Sequence, residues 1–256
     1  MDIAGRTIMV TGASGGLGTA IALELHRQGA RLVLTARRKE LLDELAATTG
    51  AEVVVADLAD PDDVERLCGR AAEVDVLVLN AGTGGGGDVT SLTTAEIDFV
   101  LDVNLRSPIV MTSAFARHKV ASGEAAQVVL VGSLSGLVAT PHTQMYNATK
   151  FGLRGFALAA RQDLEHTRVG VTLVAPGFIR DAGMFADNDV TLPPVVRTKA
   201  PQDVANGVVK AIRTNPAEVF VSPTELRVAA TLGTVAPGIS ERIQRRMDTK
   251  KMSTGG

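Results

Sequence analysis

The chain holds no tryptophan, one tyrosine and one cysteine among 256 residues. A single cysteine, Cys68, excludes a disulfide within the chain and fits a reducing compartment. Charge of one sign is also missing: 26 Lys and Arg stand against 28 Asp and Glu, for a formal net charge of −2. No global field therefore draws the chain to nucleic acid or to an anionic membrane. No apolar run approaches the ~20 residues that span a bilayer. The N-terminal MDIAGRTIMVTG lacks the basic flank and continuous apolar stretch of a secretion signal. A soluble, cytoplasmic protein is expected, with membrane contact unexpected. What is present is ordinary for a globular chain, 45% hydrophobic and 21% charged, and long enough for a well-buried core.

Short Val/Leu/Ile-rich runs recur at 6–10, 31–35, 52–56, 75–79, 127–131, 170–174 and 218–221. They are continuous rather than alternating, as strands buried on both faces of a parallel sheet are. Helix-length segments lie between them, at 16–28, 39–48, 62–72, 94–120, 143–166 and 201–214. Thr93 with Glu96 forms a capping box, Pro61 and Pro201 sit at first-turn positions, and Gly29 supplies a helix stop. This order predicts a doubly wound α/β Rossmann fold: one domain over 1–256, with a seven-stranded parallel sheet and helices on both faces. Ligands of such sheets bind beyond the carboxyl ends of the strands.

The strand ends are therefore the places to read. The first runs into TGASGGLG, Thr11 to Gly18, where glycines permit a tight turn and a helix N-terminus offers amides to a pyrophosphate. The second ends in TARRKE, with Ala36 where an NAD-preferring fold carries an acid, followed by Arg37 and Arg38. A guanidinium holds a 2′-phosphate that an acid would repel, so NADP(H) is expected over NAD(H). Asp57 follows the third strand, where it can equally cap the helix at Pro61, and Asn80-Ala81-Gly82 forms a turn after the fourth. After the fifth strand comes Ser133, thirteen residues before the only tyrosine, Tyr146; Lys150 stands one helical turn beyond it.

T-G-x3-G-x-G near the start, then N-A-G and Y-x3-K in that order, resembles the short-chain dehydrogenase/reductase family over about two-thirds of the chain, from Arg6 to Pro176. The resemblance implies a catalytic set of Asn104, Ser133, Tyr146 and Lys150. It implies cofactor contacts from Gly12, Ser14, Gly15, Gly16, Leu17 and Gly18 at the pyrophosphate, and from Asp57 and Leu58 at the adenine. Asn80, Ala81 and Gly82 would lie at the ribose, and Pro176, Gly177 and Ile179 at the nicotinamide. Asn104 would bind a proton-relay water through a helix irregularity; Pro108, four residues on, has no N–H to give its carbonyl.

Tyr146 would exchange a proton with a carbonyl/alcohol pair. An unperturbed phenol has a pKa near ~10, and lowering it by ~3 units takes about 4 kcal/mol. Lys150 and an oxidised nicotinamide are expected to supply this together. A silent NADP(H)-binding sensor, and an epimerase or dehydratase, are the alternatives. Residues 180–200 are expected to form a substrate lid, with Met184, Phe185, Leu192 and Val195 either facing substrate or anchoring the loop to the core. Asp181 departs from the family's usual threonine. Residues 224–256 are expected to form two short helices, the second basic through Arg242, Arg245 and Arg246. The substrate is expected to be a small carbonyl or alcohol, bulky or lipid-like by analogy with this ending. A homodimer or homotetramer is expected, paired through 94–120 and 143–166, with Phe99, Phe115 and Phe156 either at that contact or in the core.

Overall fold

The computed structural model describes residues 1–85, 87–180, 197–238 and 241–242. Seven parallel strands form one sheet: β1 (Thr7–Thr11), β2 (Arg31–Ala36), β3 (Glu52–Val55), β4 (Val76–Leu79), β5 (Ala126–Val131), β6 (Val169–Pro176) and β7 (Glu218–Val221). Their order is β3-β2-β1-β4-β5-β6-β7. The chain thus steps outward from β1 to β3, then returns across β1 to start β4. That reversal, between β1 and β4, is where such a sheet opens a ligand crevice.

Alternate residues of each strand feed two separate cores. Ile8 and Val10 of β1, with Val76, Val78, Val129 and Val174, face α1 (Gly16–Arg27), α2 (Lys39–Thr49) and α7 (Pro201–Thr214). Met9, Leu77, Val128, Leu130 and Leu173 face the other side, against α3 (Pro61–Ala71), α5 (Ser107–Ser122) and α6 (Gln144–Asp163). Two buried faces explain why the strands read as unbroken apolar runs. Phe115 of α5 is fully buried in the second core, so it serves packing rather than a subunit contact. Phe156 packs against the same core. Phe115→Ala should lower unfolding free energy by about 3–5 kcal/mol in chemical denaturation, the usual loss for a fully buried aromatic ring.

The helix starts follow local chemistry. Thr93 Oγ1 accepts from Glu96 N and Glu96 Oε2 accepts from Thr93 N, closing the capping box of α4 (Thr94–Leu101). Pro61 and Pro201 occupy first-turn positions of α3 and α7. Gly29, at φ 83°, ends α1 by donating to His26 O. The segment 94–120 is not one helix: a π-helical turn, Asp102–Arg106, separates α4 from α5. Ser107 N donates there to Asp102 O, five residues back. Pro108 cannot supply the next regular bond, and the extra residue is absorbed where Asn104 lies. A last helix, α8 (Thr224–Val235), packs over the turn after β5. Among the described residues no helix is long and apolar enough to cross a membrane.

Candidate active site

The glycine turn after β1 and the Asn-Ala-Gly turn after β4 meet across the sheet's switch point. Gly12 has φ 67°, and a Cβ there would lie 2.7 Å from Ala81 Cα. A Cβ on Gly18 would fall 2.1 Å from Gly12 O. Only glycine permits this left-handed turn and this approach of the helix start to it. Asn80 fastens the two turns: its Nδ2 donates to Thr11 O (3.0 Å) and Gly12 O (3.3 Å). Thr11 Oγ1 accepts from the amides of Asn80 and Ala81. The N-cap of α1 is Gly15, which has no side chain to cap the helix, so among the described residues no capping side chain occupies that positive end.

Arg38 donates to Ser14 O (2.9 Å), steadying the glycine loop from β2. Arg37 lies 3.9 Å from Asp57 Oδ2 and 6.0 Å from the centre of the Phe99 ring. Asp57 does not cap α3; Asp60 does, accepting from Asp62 N, and Asp57 Oδ1 instead accepts from Ala59 N. Leu58 is buried, and its carbonyl accepts from Ser107 Oγ at 2.6 Å. These residues outline an elongated cradle: glycine turn and helix end in the middle, Arg37, Arg38 and Asp57 at one end. It fits a dinucleotide, whose pyrophosphate needs closely approached backbone and a helix N-terminus.

The other end of the cradle holds the titratable cluster. Ser133 leaves β5 in extended conformation, and its Oγ accepts from Ser135 N (3.0 Å). Ser133 also influences the Tyr146 phenol, in the direction that favours the phenolate. Lys150 Nζ lies 5.6 Å from the Tyr146 ring centre and donates to Val131 O at 3.0 Å. Lys150 is only 4% exposed, and burial lowers its pKa to about 8. In Tyr146, burial pushes the phenol up, and Ser133 offsets this only in part. The net direction from the protein's own groups is upward, with burial the larger cause.

Asn104 is fully buried in the π-helical turn. Its side chain accepts from Thr83 N (2.7 Å) and donates to Thr83 O (2.8 Å) and Thr149 Oγ1 (3.3 Å). A Cβ on Gly82 would lie 3.4 Å from Asn104 Oδ1 and 3.6 Å from Lys150 Nζ, so the two flank that glycine. Pro176 ends β6, Gly177 N donates to Val221 O, and Ile179 is buried in a bridge with Lys199. The bridge closes the base of the 180–200 segment. Residues 181–196, with Asp181, Met184, Phe185, Leu192 and Val195, lie outside the described residues, as do Arg245 and Arg246. Beyond α8, residues 237–238 and 241–242 are helical, Arg242 among them.

All four members of the expected catalytic set thus surround one crevice end. The braces were not evident beforehand. Thr11, Thr83 and Asn147 hold the turns together; Thr11 opens T-G-x3-G-x-G and Asn147 stands at an unspecified position of Y-x3-K.

A dinucleotide cradle at the switch point, ending in a serine, a phenol and a buried lysine, defines a nicotinamide-type oxidoreductase. The model of the short chain dehydrogenase family matches residues 6–191. The chain belongs to that family. It is 30% identical over 257 residues to the ketoacyl reductase HetN of Nostoc sp., covering 95% of this chain and 89% of that one. A short-chain dehydrogenase from Sphingobium yanoikuyae in complex with NADPH superposes with TM-score 0.79 at 27% identity, covering 92% of this chain and 95% of that one. A relative from Burkholderia phymatum in complex with NAD has the same fold, with TM-score 0.80 at 24% identity and coverage of 93% and 96%.

Proposed function

We propose that the protein is an NADP(H)-dependent oxidoreductase that interconverts a carbonyl and a secondary alcohol, with Tyr146 as general acid/base. The observation that carries this reading is the convergence of Ser133 and Lys150 on the chain's only phenol at the end of the dinucleotide cradle. A bound nicotinamide supplies or accepts the hydride. Tyr146 gives its proton to the carbonyl oxygen in reduction and takes it back in oxidation. Ser133 donates to the same oxygen and fixes its position. Lys150 holds the ribose and returns the proton to Tyr146, and the carbonyl of Asn104 in the π-helical turn holds the relay water. Pro176, Gly177 and Ile179 line the nicotinamide end, Gly12 to Gly18 the pyrophosphate, and Asp57 and Leu58 the adenine.

The preference for NADP(H) rests on Ala36, Arg37 and Arg38. With no acid at Ala36, nothing there repels a 2′-phosphate, and two guanidinium groups stand next to it. An apolar cluster of Leu134, Leu137, Leu226 and Ala230 lies beside Ser133, which favours a bulky apolar carbonyl. Val110 of α5 and Phe151 of α6 are exposed, and we assign to these helices the contact of a homodimer or homotetramer.

The test is a screen of NADPH and NADH oxidation over diketones, quinones, steroid ketones and β-ketoacyl thioesters, repeated with Arg37→Ala. Turnover with NADPH is expected, with Arg37→Ala weakening NADPH about tenfold and NADH little, in line with loss of a charge-assisted pair. Tight NADPH binding with no oxidation across the screen would instead make the chain a cofactor sensor. An unchanged ratio of the two affinities would remove Arg37 from cofactor choice.

A further inference from the structure

Asn147 follows Tyr146 and is not one of the four residues assigned above, yet its side chain is among the most fully engaged in the molecule. It is 6% exposed. Its Oδ1 accepts from Thr143 Oγ1 (2.6 Å) and Thr140 N (3.2 Å). Its Nδ2 donates to Ser135 O (3.0 Å) and Val138 O (3.1 Å). A carboxamide has two acceptor sites and two donor hydrogens, and all four are used. Every partner lies in the connection between β5 and α6. One side chain on the helix that carries Tyr146 thereby ties down the loop that carries Ser133.

The chain of bonds continues toward the phenol. Asn147 holds Ser135 by its carbonyl, and Ser135 N donates to Ser133 Oγ. A hydroxyl oxygen that already accepts a backbone N–H directs its own hydrogen elsewhere, and accepting strengthens it as a donor. The remaining direction is open to Tyr146, whose phenolate form Ser133 favours.

We propose that Asn147 is a positioning residue for the reaction: through Ser135 it sets the direction in which Ser133 offers its one hydrogen, toward the Tyr146 hydroxyl in the free protein and to the substrate oxygen once substrate is bound. The proposal rests on the oxidoreductase reading above. Without Asn147 the turn keeps its backbone but loses its register on α6, and the serine donates along a poorer line.

The absence of tryptophan and of any second tyrosine supplies a direct readout, since phenolate absorbance belongs to Tyr146 alone. The phenol would be titrated in the wild type, Ser133→Ala, Asn147→Ala and the double variant, with kcat, KM and NADPH affinity measured on each. Both single variants should raise the phenolate midpoint, and the double variant no further than Ser133→Ala. In turnover, Asn147→Ala should lose about tenfold in kcat, as a misplaced group does. Ser133→Ala should lose about 10²-fold or more. The double variant should match Ser133→Ala, with NADPH affinity little changed throughout.

A midpoint unmoved in Asn147→Ala, or losses that multiply in the double variant, would overturn the proposal, since an independent folding defect adds rather than overlaps. If Asn147→Ala does not fold, Asn147→Ser in the same cycle is read by the same criteria. The titration needs no substrate. Failure of the NADPH screen with the overlap intact would therefore reject the oxidoreductase reading while keeping the alignment of Ser133.

Discussion

Tyr146→Phe is expected to keep NADPH affinity within about twofold and to lose turnover by ~10²–10⁴-fold, the usual contribution of a positioned general acid. The substitution removes one oxygen and leaves the ring against its neighbours, so the cradle residues at Gly12–Gly18 and at Asn80–Gly82 are not disturbed. The hydroxyl lies where burial favours its neutral form. A phenol held protonated is a competent acid for carbonyl reduction, whereas alcohol oxidation needs the phenolate. The pH–rate profile in oxidation should consequently rise with pH. It should do so earlier with NADP⁺ bound than the cofactor-independent phenolate titration would indicate, because the nicotinamide cation favours the phenolate. Steady-state kinetics in both directions, beside fluorescence titration of NADPH, checks the whole prediction. Turnover within tenfold of wild type would remove Tyr146 from the proton transfer.

Lys150→Met should abolish most turnover and yet stabilise the fold near neutral pH. The ammonium of Lys150 is held in a dry site, with one protein hydrogen bond, to Val131 O. A pKa of about 8 in place of 10.5 means that the charged form is penalised by about 3 kcal/mol on folding. Between these two values the unfolded chain holds a proton that the folded chain does not, so stability rises with pH across that window. Below it both states are protonated and the full penalty stands. Methionine removes the penalty but leaves Val131 O without its donor, a loss of about 1–3 kcal/mol. The variant should therefore gain up to about 2 kcal/mol near pH 7 and lose that advantage progressively above pH 8. Urea unfolding of both proteins at two pH values decides it. A variant less stable at neutral pH, with a gap that does not narrow on raising the pH, would show that Lys150 is comfortably solvated. A destabilising charge in this position is consistent with the chemical role proposed for Lys150.

The expected helix over 94–120 shows where the sequence runs short. Residues 94–101 and 107–122 are helical, but the turn between them is wound one residue wider. Pro108 announced that one regular bond would be missing. It did not announce whether the chain would kink, break or insert an extra residue. That choice belongs to Asn104, whose amide pairs with both backbone groups of Thr83 from a different connection. The acidity of Tyr146 is a second case. The spacing to Lys150 places ammonium and phenol on one helix face, and the two are neighbours. Spacing says nothing about how dry that face is, and dryness reverses the direction of the shift.

What the sequence by itself determined are the features that depend on near neighbours. These are the seven strands, the helix caps, and the glycines that allow the turn after β1. The spacings that set Tyr146 and Lys150 on one face belong with them, as each follows from local geometry and the side-chain period. Tertiary structure alone decided which distant groups share a surface. It placed Thr83 on Asn104, Asn147 on the Ser133 loop, and Asp57 beside Arg37. It also set how much water each charge keeps. Those outcomes depend on the order in which seven strands are laid side by side, and pKa values and hydrogen-bond direction follow from the surroundings that order creates.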